Sequence, residues 1–472
     1  MRKKSIKLKG SIILLLLLLA MILFSQVKST RTKQENVTTT QKVNKLENTN
    51  TGKTLRIYCW NTEFKDRFQQ YVEPSGIIPK GIKVEWVITQ NENGDYQNAL
   101  DAALKKQADK DPDDRIDLFL VEADYALKYI DSDYTIDIHE LGIRDVELKN
   151  QFPYTKIIAT DSDGKLKGLT WQATPGVFVY RRSIAKDVLG TDDPEQVQNY
   201  LKSWDEFDKT AEKIHQKGYK MLSGYDDAYR VFSTNVTNPW VNADKEIVID
   251  ENIMHWVDQT KKYSEHGYHN GTSILTKEWE NDQCPGSKVF GFFYTTWGIN
   301  FTLEKNSLEV SVEKGGKEQV GNGIYGDYAI CEGPQNFYWG GTWMCAAVGT
   351  DNTELVANIM RKLTCDKETM KSITRDTQDF TNNKIAMEEL AQDGYTSSFL
   401  GGQNCIQMFT KAAESITMNN LSKYDQGCNE EFQTALHSYF EGKETKEEAL
   451  ERFYQAVIKR YPMLKKPENH QE

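Results

Sequence analysis

The sequence predicts an α/β protein of two lobes followed by a mainly helical C-terminal region, and three observations carry that expectation. Short β-rich runs alternate with runs at helical spacing through the first part of the chain, the pattern of βαβ units. Residues 54–472, the part with folding composition, number 419, more than one ordinary core accommodates. From residue 351 onward the periodicity is almost wholly helical.

Taken in order, residues 54–60 (TLRIYCW) alternate and are β-rich, 64–71 have helical spacing, 82–87 read as a second strand and 95–108 as an amphipathic helix. Residues 117–121 (DLFLV) read as a third strand. A covered parallel sheet follows, and ligands in such sheets sit beyond the carboxyl ends of the strands. Those ends deliver Trp60-Asn61 and Glu122-Ala123-Asp124. A strand-rich passage over 169–180 leads into a helix over 184–189, and Ser203-Trp204-Asp205-Glu206 opens the next helix with capping-box spacing. A second lobe begins there. A helix over 252–265 and a strand over 289–294 continue it. Residues 325–350 read as two strands around a Gly-rich turn, and the last helix covers 446–460. No repeat of fixed period is present.

The N-terminus bears on compartment. Arg2, Lys3, Lys4, Lys7 and Lys9 precede 13 unbroken apolar residues, 12–24, the layout of a secretory signal. A bilayer-spanning helix needs ~20 residues, so 1–27 is expected to be a signal peptide or a short membrane anchor. Val27-Lys28-Ser29 is a weak cleavage pattern. The first cysteine is Cys59, so a typical lipoprotein anchor is not expected. Residues 28–53 are Thr, Asn, Gln, Lys and Ser with almost nothing apolar, and read as a disordered linker. The protein is expected to be extracellular, secreted or tethered to the outer face of the cytoplasmic membrane, and monomeric.

Beyond residue 53 the chain carries 47 Lys and Arg against 67 Asp and Glu. That balance speaks against nucleic acid, whose phosphates need clustered cations. It leaves polyamines open as ligands. Seven cysteines form no CxxC pair; Cys59, Cys331 and Cys345 fall in strand-like stretches and read as small hydrophobes. Export would permit a disulfide between Cys331 and Cys345. Gly321 to Gly326 matches GxGxxG but lacks the strand before and the helix after, so a loop is expected. Asp161-Ser162-Asp163-Gly164 lacks the later ligands of a calcium loop and reads as a hairpin turn. No HExxH or GxSxG is present, and no catalytic residue, metal or cofactor is expected.

Aromatic faces and hydrogen-bonding carboxylates or amides together suit a carbohydrate. Trp60, Trp171, Tyr225, Trp240, Trp297, Trp339 and Trp343 stand at expected lobe edges, whereas Trp86, Trp204 and Trp256 lie inside periodic patterns and belong to the core. Asn61, Glu63, Glu122, Asp124, Gln172, Asp226, Asp227 and Asp327 sit at strand ends or in loops, though Asp124 also fits as a helix cap.

Several segments together resemble one family, the family 1 extracellular solute-binding proteins of ABC-type carbohydrate importers, especially those of gut Firmicutes. They are TLRIYCWN (54–61), IDLFLVEADY (116–125), GLTWQATPGVFVYRRSIAKDVLG (168–190), SWDEFDKTAEKI (203–214), KVFGFFYTTWGINF (288–301) and YWGGTWMCAAVGTDN (338–352). The resemblance implies a periplasmic-binding-protein-like fold whose lobes are joined by hinge crossover strands, the first near Trp171 and later ones near Trp297 and Gly333. Lobe 1 then begins with 54–168 and lobe 2 with 169–296, while 297–472 returns between them. It also implies capture of a sugar or oligosaccharide in the interlobe cleft and delivery to the membrane permease subunits of an ABC importer, with no catalysis. A polyamine receptor and a secreted glycoside hydrolase are the alternatives.

Overall fold

The opening strand β1 (Thr54–Cys59) buries Leu55, Ile57 and Cys59 completely and leaves the residues between them half-exposed, as its alternation requires. The computed structural model describes residues 51–418 and 420–467; the signal or anchor expected over 1–27, and nearly all of the linker expected over 28–53, lie outside the described residues. Among the described residues, no helix is long and apolar enough to cross a membrane.

Two sheets organise the fold. The larger has the order β2 (Lys83–Ile88), β1, β3 (Leu118–Glu122), β8 (Thr342–Ala346) and β4 (Leu169–Thr170). β1 runs parallel to both neighbours, with Ile57 in register with Trp86 and Leu118. β8 is antiparallel to β3 and to β4. The wholly parallel sheet expected from the sequence is therefore mixed, because β8 enters from the opposite direction after a passage through the other lobe. The smaller sheet is antiparallel, with β5 (Val177–Arg181) between β6 (Gly291–Tyr294) and β7 (Tyr328–Cys331). Residues 325–350 are accordingly not one hairpin, since β7 and β8 belong to different sheets.

Helices cover both sheets. Helix Asp95–Lys105 buries Tyr96, Leu100 and Leu104 against the larger sheet, where the Tyr96 hydroxyl donates to the carbonyls of Leu120 (2.6 Å) and Tyr58 (3.1 Å). In the second lobe Phe178 meets Phe207 and Phe293 edge-on at 5.2 and 5.0 Å. Helices Trp204–Gln216, Glu251–His266, Asp425–Phe440 and Lys446–Arg460 add their apolar faces to that same core. Ser203 caps the first of these, its Oγ accepting from the Glu206 amide. Trp256 is fully buried, as its periodic setting predicts.

Two segments cross between the sheets, 171–176 from β4 to β5 and 332–341 from β7 to β8. Residues 295–327, by contrast, leave β6 and return to β7 within the smaller sheet, so Trp297 stands at the start of a helical run of that lobe, 296–306, and not in a crossing segment. The two crossing segments lie side by side: the Gly176 amide donates to the Phe337 carbonyl at 2.7 Å and the Trp339 amide to Thr174 at 3.2 Å. Residues 379–382 flank them, with Ala173 N donating to Phe380 O and Asn382 N to Trp171 O. Pro175 and β-branched Thr174 favour extended backbone here. Gly176 is required by contact: a Cβ there would stand 2.2 Å from the Phe337 ring.

The seven cysteines are free thiols, and Cys331 and Cys345 stand in separate sheets, so the disulfide that export would permit is not formed. Gly321 to Gly326 is a loop. Asp161 to Gly164 is the turn of a small hairpin closed by the Thr160–Leu166 bridge. No group of potential metal ligands is assembled among the described residues.

Candidate functional site

A cavity of about 1200 Å³ opens beside the crossing segments and is lined from both lobes. The larger sheet supplies Trp60, Asn61 and Glu63 beyond β1, Glu122 as the last residue of β3 and Asp124 beyond it, and Thr342 at the start of β8. The smaller lobe supplies Asp226, Arg230, residues 273–275 and Trp297, while Gln172, Trp339 and Gly340 come from the crossing segments themselves. This is the carboxyl-end location expected of strands in such a sheet.

Three indoles shape the walls. Trp60 is half-buried, braced edge-on by Tyr96 at 5.5 Å and Tyr125 at 6.4 Å. Trp297 donates its indole N–H to the Trp339 carbonyl at 2.9 Å, and the two rings meet edge-to-face at 4.7 Å. Trp339 in turn lies parallel to Tyr294 at 6.3 Å, with the Arg230 guanidinium 5.9 Å from its ring. Gly340 lets this pair close up: its φ is +73°, and a Cβ would come within 3.0 Å of Trp297 Nε1.

Polar groups form three clusters. In the first, Arg230 grips Asp124 with two guanidinium nitrogens at 2.6 and 2.5 Å, and Glu122 Oε2 accepts from the Asp124 amide at 2.9 Å. Burial, and then the charge of Asp124, holds the Glu122 carboxyl well above the ordinary carboxylate range despite Arg230. In the second, the Gln172 amide donates to Glu63 Oε1 at 3.0 Å and to Asp379 Oδ2 at 2.9 Å. Burial, and then the charge of Asp379, pushes Glu63 up to about 7. In the third, His437 Nε2 pairs with Asp226 Oδ1 at 2.8 Å. Burial pulls that imidazole down, but the hydrogen bond and charge of Asp226 outweigh it and leave the group raised.

The cavity thus brings together Trp60, Asn61, Glu63, Glu122, Asp124, Gln172, Asp226, Trp297 and Trp339 of the residues singled out in the sequence. Six others lie elsewhere. Trp171 is fully buried against Phe64 at 5.6 Å, and Trp343 is buried in β8 with its N–H given to Thr155 O. Trp240 is buried in the second lobe, donating to Asn429 Oδ1. Tyr225 packs between His437 and Phe440. Asp227 faces inward to the amides of Ser223 and Gly224 and to Trp279 Nε1. Asp327 pairs with Arg181 and accepts from Ser183 outside the cavity. A lobe-edge position in sequence does not settle on which side of the backbone a ring falls.

Sequence reasoning missed Arg230, Asp379, Glu304, Phe301 and His437, which also line the cavity. Residues 378–383 (QDFTNN) carried a usable signal, an Asn-containing break in an otherwise helical tail. Arg230, inside a short helix Tyr229–Ser233, carried none.

Two lobes, crossing segments and a cleft lined from both sides define a two-lobed α/β protein with an interlobe cavity. The family model described as bacterial extracellular solute-binding protein matches residues 68–394, and the chain belongs to that family. Solved structures show the same fold at low identity. An extracellular solute-binding protein family 1 structure superposes with a TM-score of 0.69 at 14% identity, covering 86% of this chain and 99% of that one. The ABC transporter associated binding protein of B. animalis subsp. lactis Bl-04 gives 0.63 at 16% identity, covering 88% and 100%. The GacH receptor of Streptomyces glaucescens GLA.O gives 0.61 at 13%, covering 87% and 99%. No curated protein matches the chain.

Proposed function

We propose that this protein captures a sugar or short oligosaccharide in the interlobe cleft and delivers it to an ABC importer without chemically changing it. The observation that carries this reading is the cavity itself. Trp60, Trp297 and Trp339 offer indole faces for the C–H side of a sugar, and Asn61, Glu63 and Glu122 offer donors and acceptors for its hydroxyls. Its volume of about 1200 Å³ exceeds the ~300–1000 Å³ of an ordinary small-molecule pocket, which suits more than one ring. The ligands of structural neighbours support the same class: the B. animalis protein was solved with beta-1,6-galactobiose, and GacH with acarbose. The basic, then apolar, N-terminus supports export, which brings the cleft to the outer face of the membrane.

A cationic ligand is the second reading, favoured by ten carboxyl side chains in the cavity against Arg67, Arg230 and Lys305. Thermal unfolding against a panel of neutral mono- and oligosaccharides and of polyamines decides between them, since a ligand of the native state raises the midpoint. Stabilisation by a neutral saccharide supports the first reading, and stabilisation by polyamines alone overturns it. Recovery of the saccharide intact after incubation separates a receptor from a glycoside hydrolase.

A further inference from the structure

Arg67 ends the short helix Glu63–Arg67, lines the cavity and is 9% exposed. Every other arginine among the described residues donates at least one side-chain hydrogen bond. The Arg67 guanidinium donates none among them. Its Nε is sealed from solvent without a partner, and its terminal nitrogens reach open space at the cavity wall. The nearest carboxylate oxygen, Glu63 Oε1, stands 3.9 Å away, beyond hydrogen-bond range. A guanidinium buried with its donors unspent is costly in a folded protein, and a ligand that accepts from it accounts for that cost.

A buried amide keeps this pair apart. Residues four apart share a helix face, so Glu63 and Arg67 are placed to close an ordinary ion pair. Gln172, 3% exposed in the first crossing segment, instead draws Glu63 Oε1 to its amide nitrogen at 3.0 Å and holds Asp379 Oδ2 on the same nitrogen at 2.9 Å. The Gln172 side-chain carbonyl is fixed in turn by the Thr342 amide at 3.0 Å. Glu63 Oε2 accepts from no group among the described residues. The wall therefore presents unspent donors and an unspent carboxylate acceptor one helical turn apart.

We propose that Arg67 is a ligand-binding residue and that, with Glu63 Oε2, it selects an uncharged polyhydroxyl ligand over a polyamine or an acidic saccharide. The inference rests on the saccharide reading of the cleft and narrows it. A hydroxyl both accepts and donates, so one sugar hydroxyl takes an Arg67 N–H and gives its own hydrogen to Glu63 Oε2. Neighbouring hydroxyls of one ring suit the planar guanidinium, which presents parallel donors. A polyamine offers donors alone: it leaves Arg67 unmet and sets a second cation against it. An acidic saccharide brings an acceptor for Arg67, but its carboxylate meets the charges of Asp66 and Asp379 as well as that of Glu63.

The test is thermal unfolding and calorimetric titration of the wild type, Arg67→Met and Arg67→Lys. The probes are neutral gluco- and galacto-oligosaccharides, spermidine and digalacturonate. A neutral saccharide is expected to raise the wild-type midpoint. Arg67→Met keeps the stem without the donors and is expected to weaken that binding by roughly tenfold to a hundredfold, the worth of a hydrogen bond to a charged group. Arg67→Lys keeps the charge without the planar fork and is expected to lose affinity as well. Free of ligand, Arg67→Lys is expected to unfold close to the wild-type midpoint, because the folded protein loses no hydrogen bond; a structural guanidinium would lower it. Saccharide affinity unchanged in both variants, or a clear fall in the ligand-free midpoint of Arg67→Lys, overturns the assignment and leaves the saccharide reading intact. Stabilisation of the wild type by spermidine or digalacturonate alone overturns both.

Discussion

Trp297 and Trp171 are both tryptophans at the ends of strand-like runs, yet their settings predict opposite phenotypes. Trp297 lines the cavity, partly exposed and held by its bond to Trp339 O. Removing an aromatic platform of this kind costs ~1–3 kcal/mol per stacked ring. Trp297→Ala should therefore weaken saccharide binding by roughly tenfold to a hundredfold in calorimetric titration, with a modest change in thermal midpoint. Trp171 is fully buried, and its N–H finds no partner among the described residues. Trp171→Ala should cost ~3–5 kcal/mol of stability in denaturant unfolding. Equal loss of stability in both variants would place Trp297 in the core and remove it from the site.

At the scale of elements, the crossing segments explain why lobe membership is not contiguous. β4 and β5 are six residues apart and belong to different sheets, as do β7 and β8. In sequence the first passage reads as one strand-rich stretch over 169–180 and the second as two strands around a Gly-rich turn over 325–350, because local pattern does not record a change of sheet. Gly176 shows how tightly they pack. Its backbone conformation is ordinary, so the obstacle to a side chain is the Phe337 ring 2.2 Å from the would-be Cβ. Gly176→Ala should destabilise the protein by ~1–3 kcal/mol through overpacking. Phe337→Ala alone should also destabilise, by emptying a buried site, but the double variant should lose less than the two single losses combined. A double-mutant cycle in denaturant checks this, and strict additivity would contradict the contact.

For the whole molecule, the cleft opens between lobes that meet through narrow hydrogen-bonded segments, the geometry that permits hinge closure. Scattering with and without a confirmed ligand should show a smaller radius of gyration at saturation. An unchanged radius would mean that the ligand enters a cleft already closed.

The sequence by itself determined the α/β class, the order of strands and helices, and the part of the cavity lining that follows directly from strands. Alternation in β1 and the apolar run of β3 are local patterns, and the residues at or just beyond their carboxyl ends, Trp60, Asn61, Glu63, Glu122 and Asp124, all line the cavity. Tertiary structure alone decided the rest. Gln172 meets Asp379 from 207 residues away, and Arg230 reaches Asp124 across 106. The split of β7 from β8, and the burial of Trp171 and Trp343 while Trp297 and Trp339 face the cleft, are decided in the same way. Periodicity records which face of an element is apolar, because neighbouring residues share one backbone geometry. It does not record which element will cover that face, because that is settled by the packing of segments distant in sequence.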